Sequence, residues 1–96
     1  MEDITIFSTR YLAFAAALVT MGFPVIRVDY QFEGGKQKPI GYFAFEDSEQ
    51  LRDIRQQYNQ GFLRVEPRTY MSNMQSLKSE VTNYEFNPTS KFNQTQ

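Results

Sequence analysis

Between Phe23 and Asp47 the chain alternates apolar and polar residues with the period of a strand. Ile26, Val28, Tyr30 and Phe32 interleave with Arg27, Asp29, Gln31 and Glu33, so the first set lies on one side of a pleated backbone and the second on the other. Gly34-Gly35 follows, where the chain can turn at positive φ without a Cβ penalty. The returning strand holds Ile40, Gly41, Tyr42, Phe43, Ala44 and Phe45. A two-residue turn at Gly34-Gly35 pairs Val28 with Gly41, and a four-residue loop shifts that register by two. Either register gathers Ile26, Val28, Tyr30, Phe32, Phe43 and Phe45 on one face and places Arg27, Asp29, Gln31, Lys38 and Tyr42 on the other. Pro39 has no N–H to donate and suits the start of a strand.

Helical patterns flank this hairpin. Residues 3–7 read as a short strand, and Ser8 or Thr9 is placed to cap a helix running to about Met21. Gly22 then takes the left-handed position at its C-terminus. That segment is apolar nearly all round and rich in alanine, which predicts a central buried helix. Asp47 or Ser48 starts a second helix, where Asp47 and Gln50 have the spacing of a capping box. Its apolar stripe is Leu51, Ile54 and Tyr58, its solvated side carries Glu49, Arg52, Asp53, Arg55 and Gln56, and Gly61 ends it. Phe62, Leu63 and Val65 continue in extended form to Pro67, which is tolerated in a helix's first turn. A third helix over 67–84 has Tyr70, Met74, Leu77, Val81 and Tyr84 at intervals of four and three, with Met71 adjoining. The expected architecture is α+β, of order β-α-β-β-α-α, an antiparallel hairpin-centred sheet with helices on one face. Residues 1–84 form one compact domain; 85–96 read as a polar, flexible tail in which Phe86 and Phe92 are the groups with something to bury.

Composition removes several chemistries. The chain has 96 residues with no cysteine and no histidine, so disulfides, thiolate nucleophiles, zinc sites of the usual ligand types and imidazole acid–base catalysis are excluded. The net charge of −1 provides no whole-molecule field toward nucleic acid. The longest apolar run, Tyr11 to Val19, falls short of the roughly 20 residues that span a bilayer. Glu2 and Asp3 make a poor signal-peptide n-region. Secretion by a signal peptide is therefore not expected.

Most candidate sites also have a plain structural role. Glu46-Asp47 stands at a strand-to-helix junction, where capping accounts for the aspartate. Gly34-Gly35-Lys36 joins two strands and lacks the spacing of a phosphate loop. Tyr42 lies on the outer face with Arg27, and Lys36 and Lys38 are near them, an arrangement resembling a stacking platform for single strands. Most neighbouring aromatics, however, belong to the face that must cover the helices. Arg64, Arg68 and Lys78 form a second basic group, with Glu66 and Glu80 as acidic neighbours. Tyr70, Met71 and Met74 give the third helix a candidate partner face, although covering the domain's own core is the plainer reading of the stripe.

STRYLAFAAALVTMGF, GYFAFEDSEQLRDIRQQYNQG and LRVEPRTYMSNMQSLKS together resemble a family of short uncharacterised proteins, a domain of unknown function of bacteriophages and bacterial mobile elements. The likeness covers about residues 6–80, and the matching features are the alanine-rich helix ending in Gly22-Phe23, the Tyr42–Asp47 junction, and Asn59-Gln60-Gly61 before Leu63-Arg64-Val65 and Pro67. It implies a phage-like origin and carries over no catalytic or binding residue.

The combined expectation is a small non-enzymatic protein without a cofactor or metal. It binds other proteins, itself or further phage proteins, as a virion or assembly component or an accessory factor. Tyr70, Met71, Met74, Phe86 and Phe92 are the expected contact residues. The alternative is a single-stranded nucleic-acid-binding accessory protein using Arg27, Lys36, Lys38 and Tyr42.

Overall fold

The computed structural model describes residues 4–34 and 39–83. Six elements follow in order: β1 (Ile6–Thr9), α1 (Leu12–Thr20), β2 (Arg27–Gln31), β3 (Ile40–Glu46), α2 (Glu49–Gln60) and α3 (Pro67–Asn83). The strands make one antiparallel sheet in the order β1-β3-β2, so the fold is α+β with the expected β-α-β-β-α-α order. β3 takes the middle because apolar residues occupy both of its faces: Phe43, Ala44 and Phe45 are all buried.

Register sorts the side chains. Val28 stands opposite Phe43 and Tyr30 opposite Gly41, offset by two from a two-residue turn and matching a four-residue loop. On the other side of β3, Phe7 pairs with Phe45 and Thr9 with Phe43. Phe7, Thr9, Val28, Tyr30, Gly41, Phe43 and Phe45 therefore share the helix-facing side. Ile6, Ser8, Arg27, Asp29, Tyr42 and Ala44 share the outer side.

Phe14 to Leu18 are five consecutive buried residues. Such a run covers every side of a helix, so α1 is enclosed, as its all-round apolar pattern requires. Its Phe14, Ala15, Ala16 and Leu18 join Val28, Phe43, Phe45, Leu51 and Leu77 in a single core. Polar contacts fix α3 against α1: the Tyr70 hydroxyl donates to the Ala13 carbonyl at 3.3 Å, and Asn73 Nδ2 donates to Thr20 Oγ1 at 3.0 Å. Near its C-terminal end α3 presses Val81 onto Gly41, where an added Cβ would come within 2.8 Å of Val81 Cγ2.

Three local expectations change, and the third helix gains a cap that the sequence did not announce. The first strand is 6–9 rather than 3–7, and Ser8 and Thr9 belong to it instead of capping a helix. Continued pairing with Ala44 and Phe43 outweighs a cap there, and α1 begins at Leu12 with no side-chain cap. Thr9 is buried, its Oγ1 accepting from the Tyr11 N–H at 3.2 Å. Phe32 is 59% exposed rather than in the core, because β2 ends at Gln31 opposite Ile40. Ser48, not Asp47, caps α2: its Oγ accepts from the Leu51 N–H at 3.0 Å, and Gly61 closes the helix at φ 79°. Finally, Glu66 caps α3 from just before Pro67, accepting from the Arg68 and Thr69 N–H groups and the Thr69 hydroxyl. Tyr84 and the segment 85–96 lie outside the described residues. No helix among the described residues is long and apolar enough to cross a membrane.

Candidate functional site

β1, the start of α1 and the second half of α2 enclose an open groove of about 680 Å³. Phe7 points to the helix-facing side of β1 and meets Phe14 edge-on, with ring centroids 5.9 Å apart and an interplanar angle of 84°. Phe14 lies against Tyr58 at 4.7 Å. Arg55, three residues before Tyr58 and so on the same side of α2, holds its guanidinium 5.0 Å from the centre of the Phe7 ring, a cation–π arrangement. Tyr11 is 69% exposed, and Ser8, Arg10, Tyr42 and Asn59 also line the groove. A second hollow on α2, formed by Arg52, Gln56 and Gln60, shares Arg55 and Asn59 with the first.

The electrostatics of these joined hollows differ from those of the whole chain. They are lined by Arg10, Arg52 and Arg55, and no carboxylate lines either one. Arg10 is 3.7 Å from Glu33 and Arg52 is 3.6 Å from Asp47, so each of these two cations has a carboxylate beside it. Arg55 has no ion-pair partner among the described residues. The Tyr42 hydroxyl donates to Glu33 Oε2 at 2.9 Å. That bond to a carboxylate, with burial and the carboxylate's charge adding, raises the pKa of the phenol.

The backbone of β1 supplies a further feature. The Asp47 N–H donates to the Thr5 carbonyl at 2.8 Å. In an antiparallel ladder this directs the main-chain groups of Thr5, Phe7 and Thr9 toward β3, and those of Ile6 and Ser8 outward. Among the described residues no strand pairs with that outer edge. The site therefore offers free backbone donors and acceptors beside an aromatic floor and a cationic rim. No group of three or more Asp, Glu, His or Cys that could hold a metal ion converges among the described residues.

The residues expected to meet partners fall elsewhere. Tyr70 and Met74 pack against the core, and burial, with Tyr58 adding, raises the pKa of the Tyr70 phenol. Met71 is 49% exposed, so the three do not form one open face. Phe86 and Phe92 lie outside the described residues, as do Lys36 and Lys38. Arg27 and Tyr42 share the outer sheet face as parity requires, but each has an acidic neighbour: Arg27 Nε donates to Asp29 at 3.0 and 3.1 Å, and Tyr42 bonds Glu33. Asp47 is occupied structurally, accepting from the Ser48 N–H at 2.9 Å and pairing with Arg52. Sequence reasoning missed Phe7, Arg10, Tyr11 and Arg55 as one site. Its trace in the sequence is the spacing of Arg52, Arg55, Gln56 and Asn59, a polar stripe of helical period.

By comparison with known families the chain belongs to DUF5659, a domain of unknown function, which it matches over residues 1–83. No curated protein and no solved structure matches it.

Proposed function

We propose that this member of a domain-of-unknown-function family is a small binding protein that acts through protein–protein contacts rather than catalysis. It would serve a phage-like element as a virion or assembly component or an accessory factor, in the bacterial cytoplasm or the virion. One observation carries the reading: an open groove in which a strand edge that is unpaired among the described residues lies beside exposed aromatic and arginine side chains. Unpaired edges invite strand addition, and proteins normally blunt or cover them. Resemblance to phage and mobile-element proteins supports the context.

The test is chemical cross-linking of the tagged full-length chain in the cell that carries its gene, read by mass spectrometry. A protein cross-linked by the unaltered chain and by Met71→Ala, but lost in both Tyr11→Ala and Arg55→Ala, is the expected result. Cross-links that ignore the groove substitutions and vanish with Met71→Ala would move the binding face to α3 and refute the groove. Nucleic acid as the sole cross-linked species would replace the reading with the single-strand alternative.

A further inference from the structure

We infer that the ligand of the groove is an extended, acidic peptide segment of another protein, added as a fourth strand to the free edge of β1. The inference rests on the protein-binding reading above and specifies its chemistry. The outward N–H and C=O groups of Ile6 and Ser8 require partners that both accept and donate, which a peptide backbone supplies at the spacing of a strand. A phosphodiester backbone has acceptors but no donors for the two carbonyls. The aromatic floor argues the same way. Phe14 is 5% exposed, one face of Phe7 is taken by Arg55, Tyr58 lies on Phe14, and Tyr42 is half-buried with its hydroxyl held by Glu33, so Tyr11 is the ring in the groove left widely open for a base to stack on.

Charge sets the composition of the segment. Of the arginines lining the two joined hollows, Arg10 and Arg52 have Glu33 and Asp47 beside them, whereas Arg55, over the Phe7 ring, has no counter-ion among the described residues. Alternation then places the ligand's side chains. Residues opposite Phe7 and Thr9 fall on the helix-facing side, near Arg55 and the Phe7–Phe14–Tyr58 floor; those opposite Ile6 and Ser8 fall on the outer side, near Arg10. The fitting segment alternates strand-forming apolar or aromatic residues with glutamate or aspartate. A basic segment would place cations against Arg55.

Selection from a random octapeptide library on the immobilised full-length chain, followed by synthesis of the enriched peptide, tests this. The expected result is an acidic, strand-forming consensus whose binding shifts the amide resonances of Ile6 and Ser8. Methylating one edge-pairing amide of the peptide should weaken binding about tenfold, and Arg55→Gln by a similar factor, since each removes a hydrogen bond or a charged partner. Arg55→Glu should invert the charge preference in a fresh selection. Enriched peptides that are basic or indifferent to charge, yet still shift Ile6 and Ser8, overturn the inference and leave the groove as a protein-binding site. No enrichment, or shifts confined to other faces, overturns both. Labelled oligothymidylate bound in the groove with steep salt dependence assigns the site to nucleic acid instead. A dimer seen by light scattering and abolished by Arg55→Glu assigns it to a second copy of this chain.

Discussion

Replacing Gly41 with alanine measures how tightly α3 is held on the sheet. Gly41 stands on the central strand opposite Tyr30. An added Cβ would lie 2.8 Å from Val81 Cγ2, 3.4 Å from Val28 Cγ1 and 3.5 Å from Tyr30 Cε1. The first separation is well inside the optimum of roughly 3.5–4.0 Å for carbon pairs, and a β-branched valine has little freedom to swing aside. Overpacking of this kind costs about 1–3 kcal/mol. It is offset by about 0.4–1 kcal/mol, because alanine restricts the unfolded chain more than glycine. The expected net loss is about 1–2 kcal/mol. With a urea m value of about 1–2 kcal/mol/M for a chain of this size, the unfolding midpoint should fall by about 1 M. Val81→Ala removes the clashing methyl, so Gly41→Ala made in that background should cost almost nothing. The double-variant cycle should show coupling of about 1–2 kcal/mol. Equilibrium urea unfolding followed by circular dichroism provides all four midpoints. A Gly41→Ala midpoint equal to that of the unaltered chain, or additive behaviour in the double variant, would refute the close packing of Val81 on β3.

Three further outcomes follow from capping and ionisation. Ser48→Ala removes the acceptor for the Leu51 N–H and should cost about 1 kcal/mol in the same unfolding assay, with Ser48→Asp retaining most of the stability. Glu66 has its pKa lowered by hydrogen bonds from the Thr69 hydroxyl and the Thr69 and Arg68 amides. Its contribution is therefore fully present above the ordinary carboxylate range and is lost as pH falls through the lowered folded value. Thermal melts of Glu66→Gln should lie below those of the unaltered chain at neutral pH and converge with them in strong acid; a constant gap across that range would exclude the charged cap. The phenols of Tyr42 and Tyr70 are raised, so the stability they confer is present below the ordinary phenol value of 10.0 and is lost as pH rises through the folded values. In an alkaline absorbance titration, Tyr42→Phe and Tyr70→Phe should each remove a phenol that ionises late, and removal of an early one would contradict the contacts assigned to that residue.

Much of the fold was legible because its signals are local. The alternation from Ile26 to Phe45 identified two strands and the face that carries Val28, Phe43 and Phe45, since strand parity depends only on sequence spacing. Leu51, Ile54 and Tyr58 marked the inner side of α2 for the same reason at helical period. The all-round apolar character of 12–20 announced a helix enclosed on every side. What remained open was decided by partners distant in the chain. Pairing with β3 turned Ser8 and Thr9 into strand, and the register of β2 left Phe32 in solvent. Tyr70 and Met74 were also candidates to face a partner, and the approach of α3 to α1 turned them inward.

The site lay furthest from what spacing can reveal. Phe7, Phe14, Arg55 and Tyr58 come from three elements, and among the described residues the edge beside them is open because β1 pairs with β3 on one side alone. The sequence by itself determined which residues of each element seek the interior, because burial is governed by periods of two and 3.6 residues. Tertiary structure alone decided which exposed residues became neighbours. That depends on strand order and helix placement, which are set by the summed packing of the whole core rather than by any one segment.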